Sequence, residues 1–316
     1  MATVFTPRAA PPPGAVLAKG LLQGGLGLLR ASTATLGRLS PDATAAADLQ
    51  ELGDKLHVFE RFQFALADVG ISAAALPPLA DAVRRAGRLD LYSSLWTTEG
   101  LGHAYASLLT ANTGRLPERA LLPLHTGMGM ALAARTLAGT RDMAELPGRL
   151  RSFLDLCRTV SLPGYAEATF EPLGFVARNL HSAAVPEIGR QLARLAPDLA
   201  GSFWHGVGRG LYFSPRRALP GSTAAALGDA WREPPHEEGR RNAAAGVGWA
   251  FTLVTVRHPE VLRGFLARHP LPPPIAHAFA DGADGATRIW RSWTGAEPLP
   301  GQRLGELFHW HGDAAR

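Results

Sequence analysis

A chain of 316 residues, 46% apolar and 19% charged, has enough apolar material for a large buried core and too little charge for a disordered chain. Its pI near 10 suggests nucleic acid, but the net charge is only +5, the basic residues are nearly all arginine (Lys19 and Lys55 are the sole lysines), and Arg216-Arg217 and Arg240-Arg241 are isolated pairs. That is no phosphate-binding surface, and with the abundant Ala, Gly and Pro it fits the coding bias of a GC-rich bacterium. The single cysteine, Cys157, excludes an intramolecular disulfide and reads as a buried inert thiol, a catalytic nucleophile being the lesser reading.

Residues 1–45 read as a flexible Pro/Gly-rich leader, because Pro11-Pro12-Pro13-Gly14 resists helix formation. The segment from Ala15 to Leu29 fits a membrane surface or an arm packed on the body. No signal peptide and no apolar run of spanning length is read, so the expectation is a cytoplasmic protein without stable membrane insertion. Residues 46–316 read as a single helical-repeat domain. Ser40-Pro41-Asp42 is a helix start, and Phe59, Phe62, Leu66 and Val69 recur at the three- and four-residue steps of one helix face. Further helices are expected from about Leu76 to Leu89, Tyr92 to Leu109, Glu118 to Leu137, Ala144 to Val160, Glu171 to His181, Pro186 to Leu195, Ser202 to Phe213, Thr223 to Trp231, Glu238 to Arg257 and Glu260 to Arg268. Pro234-Pro235 and Pro272-Pro273-Pro274 mark loops. Strand signals are nearly absent. The fold class expected is all-α, irregular helical hairpins stacked as a short superhelix or closed into a ring.

One phrase returns five times: Glu99-Gly100-Leu101-Gly102-His103, Thr126-Gly127-Met128-Gly129-Met130, Glu171-Pro172-Leu173-Gly174-Phe175, His205-Gly206-Val207-Gly208-Arg209 and Ala245-Gly246-Val247-Gly248-Trp249. Glycine within a helix costs about 1 kcal/mol relative to alanine. Recurrence at matched places therefore predicts close approach of helix to helix or of backbone to ligand, with Gly102, Gly129, Gly208 and Gly248 at backbone contacts. If the phrases are equivalent, their flanking residues converge. Glu99, His103, Glu171, His205 and Arg209 become candidate catalytic residues around one partly buried cavity, and Met130, Phe175, Tyr212 and Trp249 its apolar, substrate-binding walls. Carboxylates beside histidines in an apolar cleft suit general acid–base chemistry. A buried Glu99/Glu171/Arg209 ion-pair network explains the same letters.

Phe59-Glu60-Arg61-Phe62, Trp96-Thr97-Thr98-Glu99-Gly100-Leu101-Gly102, Leu124-His125-Thr126-Gly127-Met128-Gly129, the run from Trp204 to Phe213 and Gly246-Val247-Gly248-Trp249-Ala250 together resemble a bacterial family of unassigned proteins found in and around enediyne and related polyketide biosynthetic gene clusters. The resemblance covers roughly residues 55 to 265. It implies a role in making a secondary metabolite, with a small apolar natural-product intermediate, and biosynthetic enzymes of the same pathway, as partners. It supplies no catalytic residues.

Metal chemistry has weaker support. Glu99 with His103 and Glu167 with Glu171 have helical ligand spacing, and His125 with Met128 and Met130 forms a soft set suited to copper, but a core histidine explains the latter as well. The paired histidines of Phe308-His309-Trp310-His311 read as an exposed tail. No cofactor is assigned, since Gly206-Val207-Gly208-Arg209-Gly210 follows no strand as a dinucleotide site requires. Two functions remain: an enzyme-like pocket for an apolar polyketide-type intermediate, and a non-catalytic helical scaffold of the same pathway.

Overall fold

A computed structural model describes residues 13–106, 116–138 and 143–296. Four fifths of the described residues, 80%, are helical, and no strand occurs among them. No described helix is long and apolar enough to cross a membrane.

The first helices lie where the leader and its boundary were expected. Helix α1 (Pro13–Leu39) occupies most of the segment read as a flexible leader. Proline is suited to a first helical turn, where its missing N–H has no partner to lose, and α1 then packs along α2 (Ala43–Gln63). Thr33 is buried there against Gly53, and Arg30 reaches Glu60 at 3.1 Å. Asp42 caps α2, its side chain accepting from the Thr44 N–H. The apolar stripe from Phe59 to Val69 is not one helix face: the chain breaks at Phe64 before the short α3 (Ala65–Asp68), and Phe59 is left 44% exposed.

Helix α4 (Leu79–Ala86) starts after Pro77-Pro78, as its punctuation requires. Then come α5 (Leu91–Ala104), α6 (Glu118–Leu137), α7 (Leu146–Val160), α8 (Ala166–Phe170), α9 (Pro172–Leu180), α10 (Val185–Leu195), α11 (Ala200–Tyr212), α12 (Thr223–Arg232), α13 (Glu237–Val254) and α14 (Pro259–Arg268). Residues 107–109, expected to end α5, and the motif at residues 308–311 lie outside the described residues. The proline cluster at 272–274 does not mark a loop alone. It opens α15 (Pro273–Trp293), with proline again in the first turn.

The glycine phrases explain how α5, α6, α9, α11, α13 and α15 pack. A methyl group at Gly102 would lie 2.1 Å from the Leu124 carbonyl oxygen, and one at Gly127 1.8 Å from that of Glu99. Moving forward along α5 thus means moving backward along α6, so the two run antiparallel with backbones in contact. The same pair of contacts returns between α9 and α11 (Gly174 on Phe203, Gly206 on Glu171), between α11 and α13 (Gly208 on Ala243, Gly246 on His205) and between α13 and α15 (Gly248 on Phe279, Gly282 on Ala245), every distance falling between 1.9 and 2.3 Å. A methyl group at Gly129 would likewise lie 2.2 Å from the Thr169 carbonyl oxygen. The four glycines expected at backbone contacts are there, and Asp281-Gly282 is a further phrase in which Asp284 stands where the second glycine would be. At the far end, Trp293 Nε1 of α15 donates to the Leu91 carbonyl (2.8 Å) and the Tyr92 hydroxyl donates to that of Val254 (2.5 Å), tying α13 and α15 to the start of α5.

Helix α2 crosses this layer with charged residues facing inward. Glu51, Asp54 and Lys55 are all buried. Lys55 Nζ lies 2.7 Å from Glu51 and 3.9 Å from the centre of the Tyr212 ring. Asp54 accepts from Arg257 (2.9 Å) and pairs with His258 Nδ1 (2.7 Å). Each buried charge has a partner, as burial demands. Cys157 is buried in α7, and burial pushes its thiol up, away from the thiolate a nucleophile needs.

Candidate functional site

Helices α2, α5, α6, α9 and α11 surround a pocket of about 300 Å3. Its floor holds Trp96, Glu99, Met130 and Arg209, all buried; Phe62, Phe175 and Phe213 form half-buried walls, and the exposed Phe59, Gln63, His103 and Leu180 stand at the rim. A larger hollow, about 520 Å3, lies beside Asp81, Arg84, Arg85 and Arg88. It is a charged surface depression, where Arg84 pairs with Asp81 and Arg85 donates to the Val69 and Gly70 carbonyls.

The glycine register positions the floor. Because the Glu99 and Glu171 carbonyls rest on glycines of neighbouring helices, their side chains start from fixed backbones and meet around Arg209, 110 residues further along than Glu99. Arg209 Nη1 donates to Glu171 Oε2 at 2.7 Å and Nη2 to Glu99 Oε1 at 3.3 Å. His205, one turn before Arg209, places Nδ1 2.9 Å from Glu171 Oε1. The Trp249 ring lies 4.4 Å from the guanidinium carbon, and that of Phe175 5.8 Å. The buried ion-pair network expected as the rival reading is therefore present.

It does not exhaust the site. Glu171 has both oxygens engaged. Burial alone would raise its carboxyl, but Arg209 and His205 prevail and hold it below its ordinary value. Glu99 has the poorer half of the arginine. Burial, aided by the nearby Glu171 charge and opposed by Arg209, pushes it up to about 7. Among the described residues, Arg209 on Oε1 is the one hydrogen-bond partner of the Glu99 carboxyl, and its second oxygen is not among the atoms sealed from solvent.

The structure thus brings Glu99, His103, Met130, Phe175 and Arg209 to one pocket, as expected. Glu171 and His205 lie behind Arg209 and form none of its wall; they hold the arginine in place. Trp249 also lies behind, against the guanidinium face and edge-on to His205 at 6.0 Å. Tyr212 is not a wall. Three residues on from Arg209 it is turned by about 60° around the helix, and it packs under Lys55 and against Phe251. Trp96, Phe62, Phe213 and Asn179 were missed as wall residues. Trp96 precedes Glu99 by three residues and Asn179 follows Phe175 by four, the spacings that share a helix face.

His125 is no copper ligand. Its Nδ1 donates to the Leu121 carbonyl at 2.7 Å, its Nε2 accepts the Leu162 N–H at 3.2 Å, and burial lowers it to about 4. Glu167 accepts from Ser202. Among the described residues no group of three or more His, Cys, Asp or Glu side chains is placed to hold a metal ion.

Glu99 has a stability signature. With its folded value near 7 above its ordinary 4.5, its contribution is full below about pH 4.5 and is lost as pH rises through about 7; that of Glu171, held low, is present above its ordinary value and lost as pH falls. Relative to wild type, Glu99→Gln is expected to gain stability as pH rises from about 5 to about 8 and then level off. A pH-independent difference in urea midpoint would show an unshifted Glu99.

Compared with protein-family models, curated proteins and solved structures, the chain gives no match.

Proposed function

We propose that the protein binds an apolar small molecule in the pocket above Glu99 and Arg209, and that Glu99 is the group that exchanges a proton with it or fixes its polar end. The observation that carries this reading is the carboxyl of Glu99, a residue 5% exposed, set in an aromatic-walled pocket and poised to titrate near neutral pH. A general acid or base works best with its pKa near the operating pH, and about 300 Å3 is at the lower end of the volumes that hold small ligands. The resemblance to proteins of polyketide gene clusters supports an unsaturated, polyketide-derived intermediate as the molecule and secondary-metabolite biosynthesis as the role.

The second reading is a non-catalytic scaffold of the same pathway. The buried ion pairs of Glu171 with His205 and Arg209 and the glycine contacts favour it, because they serve packing whether or not a ligand binds.

Diphenylhexatriene, an uncharged polyene that fluoresces on leaving water, separates the two. Wild-type protein is expected to bind it saturably near one to one, and Ala134→Trp, which fills the pocket from a half-buried wall position, to weaken binding at least about tenfold. Absent or unsaturable binding, or binding unaffected by the filled pocket, would favour the scaffold.

A further inference from the structure

Resting on the reading that the pocket binds an apolar small molecule, we infer that the molecule carries a basic nitrogen, and that its ammonium N–H donates to the open oxygen of Glu99 within the aromatic wall of Phe62, Trp96, Phe175 and Phe213. Gln63 and His103 stand exposed at the rim, so the polar atoms deeper in the pocket decide this. Asn179 Nδ2 donates to the Phe175 carbonyl at 3.1 Å, which orients the amide, and its Oδ1 is sealed from solvent together with Trp96 Nε1 and Arg209 Nε. None of these atoms is open to an incoming group. The second Glu99 oxygen is, on a side chain 6% exposed and lining the pocket. An ionised carboxylate accepts hydrogen bonds and donates none, so the ligand must bring the donor.

A hydroxyl meets that need with one neutral donor. An ammonium adds charge, and a charge-assisted hydrogen bond is roughly twice as strong as a neutral one. Aromatic rings around the carboxylate favour the cation further, since ring faces attract positive charge. Arg209 does not pre-empt the place. Its shorter bond, 2.7 Å, goes to Glu171, its contact with Glu99 is the longer at 3.3 Å, and Trp249 lies against its guanidinium. Two carboxylates share that one guanidinium, so Glu99, ionised above about pH 7, keeps negative charge for a ligand. A ligand carboxylate would meet that charge directly.

The test is displacement of diphenylhexatriene by octylamine, 1-octanol and octanoate at about pH 8, where Glu99 is largely ionised. The three share a chain and differ at the head group. Octylamine is expected to displace the probe at concentrations about tenfold or more below octanol, with octanoate weakest, and Glu99→Gln to bring the amine and the alcohol to near parity. Equal displacement by all three, or strongest displacement by octanoate, overturns the inference while leaving the pocket reading intact. Failure of the probe to bind overturns the pocket reading itself. Should Glu99→Gln not fold, the wild-type order of the three compounds decides alone. A preference that Glu99→Gln retains places the amine elsewhere and also overturns the inference.

Discussion

Arg209→Met is expected to lower the unfolding free energy by about 3 to 5 kcal/mol, the cost of leaving a buried charge without its partner. Glu171, 0% exposed, would keep only His205, and Glu99 would lose its one hydrogen bond. Arg209→Lys should recover little. A single ammonium has no planar fork to serve Glu171 and Glu99 at once while lying flat against Trp249. Pairing Arg209→Met with Glu171→Gln should recover part of the loss, because the stranded charge is then gone. Urea unfolding reads all three variants. A loss below about 1 kcal/mol for Arg209→Met, the range of an exposed pair, would mean that the network holds nothing together.

Gly208→Ala is the second large effect. Its new methyl group would lie 1.9 Å from the Ala243 carbonyl oxygen, a backbone atom that moves only if α11 and α13 separate. Overpacked sites cost about 1 to 3 kcal/mol, occasionally more. Gly25→Ala in α1 is the control. Nothing lies within 4 Å of its added methyl group, so it should stabilise by up to about 1 kcal/mol through helix propensity alone. The two identical substitutions in helices are thus expected to have opposite signs. Equal effects in thermal unfolding would show that the glycines of the phrases are not contact points.

The difference between those glycines also shows what the sequence made legible. Paired glycines at matched positions have one cheap physical use in a helix, close approach, and every such pair found it. The further phrase at Asp281-Gly282 was hidden because Asp284 replaces its second glycine and because Pro272-Pro273-Pro274 reads as a loop, although proline also opens helices. The same oversight concealed α1 behind Pro13. Convergence of Glu99, Glu171, His205 and Arg209 followed from phrase equivalence. Which of them face the pocket did not, since rotation about a helix separates Arg209 from Tyr212 and depth separates Glu99 from Glu171. The inward charges of α2 were invisible for another reason. Charged residues are ordinarily outside, and the partners that reverse this for Asp54 lie more than 200 residues away, at Arg257 and His258.

The central claim, that an apolar molecule enters the pocket above Glu99, is tested most directly by NMR of methionine methyl groups during titration with diphenylhexatriene. The chain has four methionines, and three sit in distinct settings. Met130 is on the pocket floor, Met128 is fully buried in the same helix facing the core, and Met143 is 45% exposed on the surface. The Met130 resonance is expected to move by ring current and saturate at one equivalent, while Met128 and Met143 stay in place. A stationary Met130, or shifts confined to Met143, would contradict the account.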